Sequence, residues 1–126
     1  DTGLLCYLVG LRDAEHAASG PMGGAIFENF VIADIFKTFL NRGEEPALYY
    51  WRTTAGSEVD VILETQAGLA PLEIKLSQTP RPEMAKELQA FRRDFKEKAL
   101  PGYVVHPGGV ALPLGEGVTA LPLSRL

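Results

Sequence analysis

Cysteine is nearly absent from this chain: Cys6 is the only one. One thiol cannot build a disulfide framework or a Cys-rich zinc site, and a reducing, cytoplasmic setting is the expected one. Cys6 lies in an apolar helical stretch and reads as a small core residue rather than a nucleophile. Histidine is scarce too. His16 and His106 are far apart, neither has a Cys or His nearby, and both read as ordinary surface or strand-end residues. No run approaches the roughly 18 apolar residues that span a bilayer, so no membrane partner is expected. No GxxxxGK[ST] sequence occurs, which excludes ATP hydrolysis by a P-loop within this chain. Basic residues are not in excess either. Twelve Lys and Arg against 16 Asp and Glu give a net charge of −4, so no global positive field draws in nucleic acid. "DTGLLCYLVGL" lacks the basic start of a signal peptide, and the chain reads as an excised or trimmed piece of a longer protein.

What is present is an ordinary globular composition, 46% hydrophobic over 126 residues. That is enough for one domain with its own core and no covalent staples. Residues 3 to 11 read as a short helix, followed by a polar connection through Gly20-Pro21. A second helix is predicted from Ala25 to Arg42, with Gly43 where a C-cap belongs. It is apolar over much of its circumference, which predicts substantial burial, with Asp34, Lys37, Thr38 and Asn41 facing outward. Gly23-Gly24 before it resembles a phosphate-cradling helix start, though a flexible entry is the commoner explanation for such a pair.

"ALYYWR" (47 to 52) reads as a strand, the turn "TTAGS" follows, and Glu58 to Glu64 form the next strand. A turn at Gln66-Ala67-Gly68 leads into Ala70 to Ser77, which completes an antiparallel meander. Trp51, Tyr49 and Tyr50 can stack on bases, but core packing or edge cover is the simpler role for strand aromatics. Pro80 and Pro82 open a helix from about Glu83 to Lys98, with Met84, Leu88, Phe91 and Phe95 forming its apolar stripe. Arg92, Arg93, Lys96 and Lys98 give its end a basic character that suits a helix C-terminus or a phosphate contact. "YVVH" reads as a fourth strand, and the Gly/Pro-broken tail as edge strands or loop. The fold class is therefore α/β, a sheet with helices packed on it.

The charged residues inside the strands carry the chemistry. Side chains alternate faces along a strand, so Glu58, Asp60, Ile62 and Glu64 share one face, and Glu73 and Lys75 share one face of the next strand. If the strands pair, Asp60, Glu73 and Lys75 converge. Glu28 sits among Val31, Ile32 and Ile35 on its helix, where a carboxylate requires a partner, a cation or a raised pKa. Mg²⁺ is held by one or two carboxylates plus waters. Asp60 and Glu73 can supply those oxygens, the backbone carbonyl of Ile74 another, and Lys75 can orient a water and steady phosphate charge. Spacing alone favours a solvated sheet face or a cross-strand ion pair over the metal site, and it leaves these readings open.

"GGAIFENFVIADIFK", "LYYWRTTAGSEVDVILE" and "PLEIKLS" resemble the C-terminal domain of unknown function carried by many prokaryotic AAA-type ATPases. The chain is also similar to the PD-(D/E)XK nuclease superfamily, with the resemblance running from Asp1 to near Lys98 and little of it in the tail. It implies a single restriction-endonuclease-like domain over 1–126: a mixed sheet, antiparallel meander plus further strands, flanked by helices. By position, Asp60 matches the first motif acid, Glu73 and Lys75 the (D/E)XK part, and Glu28 the acid of the first helix. Val59 stands where the motif has Pro. The resemblance implies Mg²⁺- or Mn²⁺-dependent cleavage of DNA phosphodiesters by Asp60, Glu73 and Lys75, with Glu28, Asp60, Glu73 and Ile74 around the metal. The implied partners are an N-terminal ATPase module of the same protein and DNA. The alternative is a non-catalytic binding, dimerisation or regulatory module, with a homodimer as one form of it.

Overall fold

The computed structural model describes all 126 residues, which divide into two compact units, Asp1–Glu45 and Pro46–Leu126. The first is helical: α1 (Thr2–Leu8), α2 (Ala14–Ser19) and α3 (Gly23–Asn41). Asp1 caps α1 by accepting from the Leu4 amide, and Asp13 caps α2 by accepting from the His16 amide. These caps satisfy N–H groups that a helix start leaves without partners. The second of them explains a helix in what the sequence suggested was a connection. Asp13 opens a run of Ala, Glu and His that ends at Gly20, and six residues suffice for one capped turn and a half.

α3 begins two residues before the expected start. A side chain at Gly23 would collide with the Ala18 carbonyl oxygen of α2, so this glycine marks a close backbone approach. Gly43, at φ 74°, follows the end of α3 as expected. Asp34, Lys37, Thr38 and Asn41 are exposed. The burial of α3 is narrower than its composition suggested. Ile26, Val31 and Ile35 are buried, while Phe30, Phe36 and Leu40 remain exposed. α1 buries none of its residues, so Cys6 is a half-buried free thiol rather than a core residue.

The second unit is a six-stranded mixed sheet in the order β1-β2-β3-β4-β6-β5. Its strands are β1 (Ala47–Arg52), β2 (Glu58–Thr65), β3 (Gly68–Ile74), β4 (Gly102–His106), β5 (Leu112–Gly115) and β6 (Val118–Pro122). β1, β2 and β3 form the antiparallel meander. β3, β4 and β6 run parallel, and β5 closes the far edge antiparallel to β6. Parallel neighbours need a crossover, and α4 (Lys86–Phe95), flanked by 3₁₀ turns at Pro82–Ala85 and Lys96–Lys98, supplies it between β3 and β4. The regular α-helix is thus shorter than the predicted Glu83–Lys98.

The stripe on α4 packs as its spacing requires. Leu88 and Phe91 are fully buried against Ile62, Val104, Val118 and Ala120, with Met84 and Phe95 at the margin. Burial of each of the two large side chains is worth about 1.5–3 kcal/mol. Trp51 meets Phe91 edge-on at 5.4 Å, and Phe91 stacks on Phe95 at 4.3 Å. Trp51 is therefore a packing residue, while Tyr49 and Tyr50 stay exposed on the edge strand.

The tail departs most from expectation. β6 is an inner strand, not an edge, and its Val118 and Ala120 are buried in the core. Its parallel partner β4 ends at His106, which is fully buried rather than superficial. The Gly108 amide donates to His106 Nδ1 at 3.1 Å, so the proton lies on Nε2, which faces the Val110 carbonyl at 3.2 Å. The ring thus satisfies two main-chain groups of the 107–110 loop. His106→Ala leaves both without partners and is expected to lower the unfolding free energy by about 1–3 kcal/mol. Urea denaturation at neutral pH measures this, and an unchanged midpoint would show that the loop reorganises freely.

Candidate functional site

The site begins with register. Val61 pairs with Leu72 on the last rung of the β2–β3 ladder, and Asp60 and Glu73 lie just beyond that rung on their strands. The alternation of β2 is interrupted here: its pairing with β1 shifts register between Tyr49 and Trp51, where β2 runs through Asp60 and Val61, and Val59 and Ile62 pack in one core cluster. β3 ends at Ile74, earlier than the sequence suggested, but the Lys75 amide still donates to the Val105 carbonyl at 2.9 Å. That bond holds the backbone so that Lys75 returns over the site. Its Nζ lies 2.5 Å from Glu73 Oε1 and 4.0 Å from Asp60 Oδ2. Asp60 is itself fixed, since its Oδ2 accepts from the Ile74 amide at 2.7 Å.

Glu73 is the unusual member. It is 5% exposed, and its second oxygen, Oε2, is buried with no hydrogen-bond partner. Burial pushes its carboxyl up to about 7, and the Asp60 charge adds to the rise. The Lys75 hydrogen bond and charge, and the Asp60 amide, pull the other way without cancelling it. Desolvation of this kind disfavours the charged form. The group therefore changes charge near neutrality, where a proton donor or acceptor is most effective.

The sheet unit thus brings together Asp60, Glu73 and Lys75. Ile74 contributes its amide to Asp60. Glu28 lies half-buried on α3 of the helical unit and is not without a polar partner. No group of three or more His, Cys, Asp or Glu side chains is placed to hold a metal ion. Two carboxylates side by side, one with a buried oxygen lacking any partner, nevertheless fit the donor chemistry of a hard divalent cation, which takes one or two carboxylates and fills its shell with water. The sequence reading missed the way Asp60 is anchored by a main-chain amide. The register that places it there depends on the length of the Gln66-Ala67 turn rather than on any motif.

The profile of a domain of unknown function, DUF4143, matches residues 23–126 of this chain. The chain belongs to the DUF4143 family. Residues 1–22 precede the matched region, and the Gly/Pro-rich tail lies inside it. The tail therefore carries family character that its composition had not suggested, in keeping with its place in the core. An uncharacterized protein of Mycobacterium bovis and one of Mycobacterium tuberculosis are each 30% identical over all 126 residues. The chain spans 27% of the length of either relative. No solved structure matches. No helix of this DUF4143 domain is long and apolar enough to cross a membrane.

Proposed function

We propose that this DUF4143 domain is a PD-(D/E)XK nuclease-like module for DNA phosphodiesters, with a restriction-endonuclease-like sheet, joined to an AAA-type ATPase in a longer cytoplasmic protein. The observation that carries the reading is the convergence of Asp60, Glu73 and Lys75 beyond the last rung of the β2–β3 ladder, around a buried carboxyl raised to about 7. Asp60 and Glu73 would hold Mg²⁺ or Mn²⁺. When bound, the ion supplies charge neutralisation on the scissile phosphate.

The protein's own groups do the rest. Asp60, fixed by the Ile74 amide, is preorganised and costs little to order. Glu73 keeps its proton at acid pH and gives it up as pH rises through about 7. Lys75, held beside both carboxylates, brings its ammonium charge to bear on charge growing on the phosphate.

Mn²⁺ titration by calorimetry and a plasmid-nicking assay, run on the protein and its Asp60→Ala variant, test this. The parent is expected to bind Mn²⁺ and to nick plasmid, and the variant to lose Mn²⁺ affinity by more than about tenfold, a typical cost of disturbing a metal's surroundings. Absence of Mn²⁺ binding by the parent would sink the metal reading. Binding without nicking in any form would assign the domain to a non-catalytic regulatory or binding role, which the net charge of −4 also suits.

A further inference from the structure

A second polar feature lies away from the acid–lysine site, at the other end of β4. There Gln89, Arg92 and Arg93 of α4 and Glu116 of the β5–β6 turn line a cleft of about 460 Å³. The three α4 residues fall at i, i+3 and i+4, which places them together on one flank of the helix. The turn opposite them is Gly115-Glu116-Gly117, with φ of 143° and 65° at its glycines. A side chain at Gly117 would collide with the Arg92 guanidinium, and one at Gly115 with the Gln89 amide. Both glycines therefore serve two needs, the positive φ of the turn and room for the two polar groups laid across it.

Neither arginine of this cleft is held in an ion pair, although Glu116 brings a carboxylate to its lining. Arg92 Nη1 donates to the backbone carbonyl of Glu116 at 2.8 Å, not to a carboxylate. Its Nε is buried and has no acceptor. A guanidinium N–H shielded from water without an acceptor is costly. Arginine's planar donor fork matches the oxygens of phosphate, and charge-assisted bonds of that kind are among the strongest available.

We propose that Gln89, Arg92 and Arg93 form a binding site for a phosphate group, with Glu116 as the carboxylate that limits its affinity. The Glu116 backbone carbonyl orients Arg92 so that its guanidinium lines the cleft, and Arg93 brings a second positive charge from the solvent side. The same phosphate chemistry is offered by a nucleic-acid backbone and by a free phosphate or nucleotide. The site does not depend on the roles given to Asp60, Glu73 and Lys75.

The test follows the Arg92 Nε–Hε resonance by ¹⁵N NMR while the protein is titrated in separate arms with inorganic phosphate and with a short DNA duplex. A saturable shift is expected, weakened at least fivefold in Arg93→Gln and strengthened severalfold in Glu116→Gln. Both substitutions sit at exposed side chains, so the fold is retained. Saturation by the duplex with a steep salt dependence identifies a nucleic-acid backbone as the source. Saturation by inorganic phosphate alone identifies a free phosphate or nucleotide, and either result supports the site. No saturable shift in either arm, or a shift unchanged by both substitutions, overturns it. Mn²⁺ binding that persists alongside such a failure leaves the acid–lysine reading standing.

Discussion

Glu73→Gln is expected to make the protein more stable, by about 3 kcal/mol at pH 8 in the absence of divalent metal. The sign follows from the direction of the shift. The folded-state pKa of Glu73 is raised from an ordinary 4.5 to about 7, chiefly by burial, so the native fold favours the protonated carboxyl. The stability this group contributes is fully present below pH 4.5 and is lost as pH rises through 7. Glutamine mimics the protonated form and cannot ionise, so it retains at pH 8 what the carboxylate has given up. Urea denaturation between pH 5 and 8.5 measures the effect. The two proteins should be closest at the acid end and diverge until about pH 7, and parallel profiles would contradict it. Mn²⁺ should narrow the gap, because a ligand that binds only the folded carboxylate stabilises by mass action. A residue that lowers the stability of its own fold at neutral pH is the kind that function, rather than folding, explains.

The parts of this arrangement that the sequence made legible are those set by periodicity. The stripe Met84, Leu88, Phe91 and Phe95 gave the packing of α4, whereas the strict alternation expected through Glu58–Glu64 is broken at Asp60–Val61, so that Val59 and Ile62 share one core. Such a stripe depends on neighbours within one element. What remained hidden depends on long-range contacts. β6 looked like an edge because Pro and Gly surround it, yet parallel pairing with β4 makes it an inner strand. His106 looked superficial because its partners, Gly108 and Val110, lie in a loop whose course no periodicity describes. Arg92 and Arg93 read as a basic helix end, and only the course of the β5–β6 turn reveals that Arg92 donates to a carbonyl and not a carboxylate.

Lys75→Met is expected to reduce nicking on the order of a hundredfold or more, the scale of losing a positioned donor at the reacting group. Its effect on metal binding is opposite at the two ends of the pH range. Lys75 lowers the Glu73 pKa through a hydrogen bond and through its charge, so removing it raises that pKa above about 7 and keeps Glu73 protonated over a wider range. At pH 6.5 the variant should bind Mn²⁺ more weakly than the parent, since a cation requires the ionised carboxylate. At pH 8.5 it should bind at least as tightly, because the ammonium that sits 2.5 Å from Glu73 Oε1 no longer competes for that oxygen. Calorimetry at the two pH values should therefore give affinity curves that cross. If Lys75 served only as the ion-pair partner of Glu73, the crossing would still appear but nicking at pH 8.5 would survive the substitution. Loss of nicking where metal affinity is undiminished separates the two roles: the ammonium then opposes the metal in the ground state and acts on the phosphate during cleavage.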